Sequence, residues 1–142
     1  MPLSEGFTAD ILNAIFSDPA FTEPTSVYMA LSSADPTSDG SGFAEITTPA
    51  SNGYNRQLIG AGDMAAAIAG DPSTKTNTSV ITFGPSTAAW SAGAPITHFA
   101  LFDASTGTTR FLGSGTLTPN QAVTGASQNI EIGAGDFDLS LA

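Results

Sequence analysis

Few side chains in this sequence could do chemistry, and their spacing limits what that chemistry would be. His98 is the only histidine and lies inside the apolar run 96–102. A catalytic or ligand role needs a nucleophile or further metal donors, and no serine motif or second histidine supplies them. The expectation is a half-buried histidine in a sheet, making one hydrogen bond. Asp136 and Asp138 point the same way if they share a strand, and such a pair could bind Ca²⁺ or act as acid and base. Nothing else in the sequence fixes a sugar or a metal beside them. They read as the solvated face of an edge strand, where charge blocks unwanted pairing.

Residues 35–45 resemble a calcium loop at first, with Asp35, Asp39 and Gly40 at suitable offsets. Pro36 and the early position of Glu45 break that pattern, and no helix is expected on either side. The segment reads as a turn-rich loop. The glycine-rich stretches lack the Lys-Ser/Thr of a phosphate loop and the βαβ setting of a dinucleotide site. No catalytic, cofactor-binding or metal residue is assigned, no cofactor is expected, and the chain is not expected to be an enzyme. Trp90, in a loop-like stretch, is either an interface anchor or a plug between two sheets.

The elements that position these residues are built from small side chains. Gly, Ala, Ser and Thr make up half of the 142 residues, while Leu, Ile, Val and Phe together supply 30. The apolar share is just above the range in which a highly charged chain stays disordered. A chain of this length makes one domain (1–142) with a thin core that gains from burial against neighbours. The net charge is −10, with three basic residues, Arg56, Lys75 and Arg110, all isolated. Without a basic stripe, nucleic-acid binding is excluded. No apolar run approaches the ~20 residues that span a bilayer, and the start lacks the basic and apolar regions of a signal peptide, so no membrane partner is expected. There is no cysteine, hence no disulfide framework and no thiolate site.

Residues 1–17 form an N-terminal helical segment. Leu3, Phe7, Ile11 and Ile15 recur every four residues, with Leu12 and Phe16 beside them, so the stripe has to pack on the domain or on a partner. Ser4 is the expected N-cap, Glu5 suits the helix dipole, and Asp18-Pro19 ends the helix. The period then changes to two. Strands are expected over 26–32, 79–83, 96–102, 108–117, 128–132 and 136–141, with weaker ones at 43–46 and 54–59. Gly113 and Gly115 interrupt one of them, which points to a bulge or a close backbone approach. Residues 64–68 are ambiguous between a helical turn and a strand, and 32–42, 47–53 and 70–78 read as loops. Seven or eight short strands without helical crossovers predict a mainly β fold, an antiparallel β-sandwich of jelly-roll or Ig-like kind with a short N-terminal helix.

Three segments in order carry a resemblance. They are the helix followed by residues 18–36 and Gly53-Tyr54-Asn55-Arg56-Gln57; Ile81 to Trp90 with Thr97-His98-Phe99 and Phe102-Asp103-Ala104; and residues 113–117 with 130–139. The chain resembles small tailed-bacteriophage virion structural proteins, often labelled tail fibre proteins, from about residue 10 to 141. It departs from the pattern at 91–95, which looks like an insertion, and in the alanine-rich 64–69. The resemblance implies a non-enzymatic virion component with a β-sandwich fold, made in the host bacterial cytoplasm.

Physics narrows its place. A charge of −10 is repelled by packaged DNA, and a small domain has no coiled-coil or β-helical shaft. The first expectation is therefore a capsid decoration (cement) protein on the outer capsid surface, bound to the major capsid protein and to copies of itself as a symmetric homo-oligomer. The alternative is a tail, collar or fibre-base component bound to tail proteins. A second alternative is a host-receptor or carbohydrate-binding module with Trp90, Tyr28 or Tyr54 as stacking platforms.

Overall fold

Alternation at period two sends successive side chains to opposite faces of a strand, and here it sorts the apolar residues into two layers. The structure, a computed structural model, describes residues 3–16, 21–108 and 110–141. One helix, α1 (Glu5–Ile15), precedes eight strands: β1 (Val27–Ser32), β2 (Gln57–Ile59), β3 (Ser73–Thr76), β4 (Ile81–Phe83), β5 (Ile96–Phe102), β6 (Phe111–Gln121), β7 (Ile130–Ile132) and β8 (Asp138–Leu141). All strand pairs are antiparallel. One sheet runs β2-β1-β5-β6, and two ribbons pair β3 with β8 and β4 with β7.

The register Met29↔Leu101 and Leu31↔Phe99 puts four large apolar residues on one face of the four-stranded sheet. They share a core with Ile81, Phe83, Ile130, Ile132 and Phe137 from the ribbon side, which makes the fold a sandwich. The opposite face carries Ala30, Ala100 and Phe102 under Phe43 and Phe111. With both faces of β5 covered and neighbours on both edges, its sequence is apolar on both parities, as a central strand requires.

Gly113 and Gly115 do both things their positions suggest. The pairing slips between Leu101↔Gly113 and Phe102↔Phe111, leaving Leu112 as the extra residue of a bulge. At Gly115 the ring of Phe99 lies where a side chain would start: a Cβ there would be 2.5 Å from Phe99 Cζ. Gly115→Ala is expected to lower stability by about 1–3 kcal/mol, as overpacking does. The loss should shrink when Phe99 is already leucine, which a double-mutant cycle in urea would measure.

Several expected boundaries shift. β6 continues past residue 117 through Pro119, which is tolerated because β6 is an outer strand and needs no N–H there. Residues 70–78 contain β3: Ser-Thr-Lys-Thr has no alternating apolar pattern, and its pairing with β8 makes it a strand. Residues 43–46 form only an isolated bridge, Ser32↔Glu45, and 64–68 form two bridges in place of a helical turn. Asp136 lies in a turn before β8, so it does not share a strand with Asp138.

Ser4 caps α1, its Oγ accepting from Phe7 N–H at 3.2 Å. The helix is tied to β6 by its first turn, where Ser4 N–H donates to Leu112 O (2.9 Å) and Ser4 Oγ donates to Phe111 O (2.8 Å). Arg110 adds a pin, donating to Asp10 Oδ2 and Thr22 O at 2.7 Å each and lying over the rings of Phe7 and Phe21. Phe7 packs against the core, but Leu12, Ile15 and Phe16 are exposed. The stripe is therefore covered over its first half only, because every anchor lies at or before Asp10. The expected stop at Asp18-Pro19 lies outside the described residues; α1 closes at Phe16, whose N–H donates to Asn13 O.

Candidate functional site

Three of the features singled out by sequence meet at the outer edge of β6. An open cleft of about 620 Å³ there is lined by Asp35, His98, Ser114, Thr116, Asp136 and Asp138, among others. β5 brings His98 opposite Thr116, the turn after β7 brings Asp136, and the loop after β1 brings Asp35. The imidazole is half-buried, and its Nδ1 lies 2.8 Å from the Thr97 hydroxyl. That is the single hydrogen bond expected of it.

Two of the carboxylates in this cleft already have local work. Asp35 Oδ1 accepts from Thr37 N–H at 2.9 Å and closes a turn. Asp138 Oδ1 accepts from the Thr76 hydroxyl across the β3–β8 ribbon, and Asp136 N–H donates to Gly133 O. Among the described residues, no group of three His, Asp or Glu side chains is placed to hold a metal ion. The cleft sets acidic and hydroxyl side chains beside the apolar Leu3, Phe99 and Phe111.

In the loop at 35–45, Asp39 is engaged by the loop's own turn. Asp39 Oδ1 accepts from the Thr37 hydroxyl (2.6 Å) and Ser41 N–H (3.0 Å). These bonds, Thr37 first, hold the Asp39 carboxyl at about 2, down from the ordinary 3.8. A depressed pKa stabilises the fold above about pH 4, and that contribution is lost as pH falls toward 2. Thr37→Ala should move the Asp39 midpoint back up, as read by NMR titration of its carboxyl carbon.

Glu45 turns inward. Its carboxylate takes both arms of Arg56, Nε at 2.8 Å and Nη2 at 2.9 Å, and the Tyr54 hydroxyl donates to it at 3.0 Å. Arg56 Nη1 reaches Ala104 O (3.1 Å), and the guanidinium lies 4.4 Å from the centre of the Phe102 ring. Tyr54 Oη in turn accepts Leu31 N–H from β1 (3.0 Å). Burial, with the Glu45 charge beside it, pushes the Tyr54 phenol far up. Sequence reading missed this cluster. The signal was available: a lone arginine in Gly53-Tyr54-Asn55-Arg56-Gln57, in a chain with three cations, needs a carboxylate if it is buried.

Trp90 is fully buried, which resolves its two readings in favour of the core plug. Its Nε1 donates to Asn52 O at 2.9 Å and its ring meets Tyr54 edge-on at 5.4 Å. Trp90 and Tyr54 are thus corrected as sugar-stacking platforms, since neither face is open; Tyr28 is half-buried on β1. No helix among the described residues is long and apolar enough to cross a membrane.

The large exposed apolar side chains are Leu12, Ile15 and Phe16 on α1, Leu58 on β2, Ile68, Val80 and Leu141. Two of the three cations are already engaged, Arg56 by Glu45 and Arg110 by Asp10. The outer surface therefore offers acidic and apolar contacts and little basic charge.

A family model described as Gp80, podophage GP4 fiber I protein gp80, matches residues 2–140. No curated protein matches the chain. The family match bears out the resemblance to tailed-phage virion structural proteins.

Proposed function

Because the chain belongs to the family of podophage GP4 fiber I protein gp80, a family of phage structural fibre proteins, we propose that it works by adhesion, as a β-sandwich unit seated in repeated copies on the virion. The observation that carries this reading is the span of the match. Residues 2–140 include α1, the four-stranded sheet and both ribbons, so the likeness is to the whole domain and not to one generic hairpin.

The family's description favours a seat at the tail, collar or fibre base, with tail proteins as partners. A second reading, a capsid decoration protein clamping the major capsid protein from outside, draws on a different observation. Every described strand lies in short antiparallel pairs with no extended shaft, and a charge of −10 suits an outer surface away from DNA. In both readings the domain sits in repeated copies, few at the tail and many on the capsid, so modest contacts sum by multivalency.

Virions assembled without this chain separate the two. A fibre-base component predicts filled, heat-stable heads whose adsorption to host cells is lost. A cement protein predicts heads that release DNA on mild heating while adsorption persists. Copy number per particle gives the same division, following the symmetry of the tail in the first case and the number of major capsid subunits in the second. Particles unchanged in both assays would refute the adhesive role altogether.

A further inference from the structure

α1 ends in an apolar turn that is exposed among the described residues. Leu12, Ile15 and Phe16 are 57%, 68% and 83% exposed, although the first half of the same helix is pinned to β6. At the opposite edge of the four-stranded sheet, an apolar groove of about 450 Å³ opens between β2 and the β3–β8 ribbon. Val27, Ile59, Met64, Phe137 and Leu139 line it, and Lys75 is the single charged lining residue. Leu58, on its rim, is 57% exposed.

We infer that this groove receives the α1 end of a second copy of this chain, with Leu12, Ile15 and Phe16 entering beside Lys75. The inference deepens the repeated-copy reading and rests on it. Three observations select a second copy as the occupant. The knob and the groove are both apolar and lie at opposite edges of one sheet, α1 against β6 and the groove against β2. The last turn of α1 carries no basic residue, so the partial negative charge of its terminal carbonyls is uncompensated, and Lys75 supplies the missing cation. Finally, copies with a charge of −10 repel one another at a distance. A lasting contact between them has to be apolar and free of carboxylates, as this groove's lining is.

Such a contact joins unlike surfaces. It therefore propagates head to tail, closing into a ring or continuing as a filament. Salt should strengthen it by screening the repulsion between copies. Docking of a basic partner into an acidic surface would respond to salt in the opposite direction.

The absence of cysteine makes the test clean. Full-length Phe16→Cys and Leu58→Cys chains, each altered at an exposed position, are mixed under mild oxidation and the disulfide products are identified by mass spectrometry. The expected result is that disulfides joining a Phe16→Cys chain to a Leu58→Cys chain dominate over both homodimers and increase with salt. Separately, Phe16→Asp should weaken self-association at least about tenfold in sedimentation, with an unchanged far-UV spectrum. A preference of Phe16→Cys chains for one another would overturn the inference, as would mixed disulfides no more abundant than homodimers, or association indifferent to Phe16→Asp. Multiple copies per virion combined with any of those results would remove the groove contact while leaving the repeated-copy reading intact.

Discussion

Replacing Arg56 with alanine is expected to lower the unfolding free energy by about 3–5 kcal/mol, the range for removing one partner of a buried ion pair. The guanidinium side chain is 1% exposed and the Glu45 side chain 17%. The variant therefore leaves a carboxylate with little access to water and one remaining donor, the Tyr54 hydroxyl. It also removes the cation that lies beside the touching rings of Phe102 and Phe43 and the donor to Ala104 O. Urea unfolding followed by Trp90 fluorescence measures the loss. Arg56→Lys should recover only part of it, since an ammonium cannot make the forked contact or stack on the rings. Glu45→Gln combined with Arg56→Met should be milder than Arg56→Ala, because no uncompensated charge is left behind. A full-sized loss in that double variant would mean that packing, and not the ion pair, holds this corner.

Whether a residue's role was legible from sequence depended on how local its causes are. Residues 96–102 were readable to both ends because a central strand is buried on both parities, and apart from the half-buried Thr97 and His98 every position is apolar. The cap at Ser4 was readable for the same reason, since its partner is three residues away. β3 was not. Ser73, Thr74, Lys75 and Thr76 pair with residues 138–141, more than sixty positions on, and nothing in four polar side chains announces that partner. The acidic pair failed in a related way. Phe137 is buried between Asp136 and Asp138, as alternation requires, but the turn at 133–136 takes Asp136 out of the strand.

The cleft at β6 shows the limit of reading sites from residue types. His98, Asp35, Asp136 and Asp138 do converge, which their spacing along the chain did not foretell. The imidazole is bonded to its neighbour Thr97, and two of the carboxylates accept bonds within their own turn or ribbon. Glu45 is the inverse case. Judged by its place in the 35–45 loop it was a misplaced ligand, whereas its side chain is held by Arg56, eleven residues on and just before β2. The apolar stripe of α1 was visible residue by residue. That only half of it finds cover was not, because coverage depends on where the helix is tied down.

Trp90→Ala should be as damaging as the loss of Arg56, at about 3–5 kcal/mol, and here far-UV circular dichroism is the appropriate probe. The indole is the largest fully buried side chain in the core. It also joins two loops, since Asn52 O accepts both Trp90 Nε1–H and Thr87 N–H at 2.9 Å, while Asn52 Nδ2 donates to Ala89 O. Trp90→Phe keeps most of the volume and leaves that carbonyl its bond from Thr87. Its cost should be correspondingly smaller, about 1 kcal/mol for the lost hydrogen bond plus the residual void. An indole acting at an interface would behave differently: the alanine variant would unfold like the parent chain and fail only in association. The pairing with Arg56 adds a sharper test. Tyr54 touches Trp90 through its ring and Glu45 through its hydroxyl, so the two clusters share a residue. The double variant Arg56→Ala/Trp90→Ala should therefore depart from additivity by about 0.5–3 kcal/mol, in the direction of a smaller loss, because the first substitution already loosens Glu45, one of the groups that hold Tyr54.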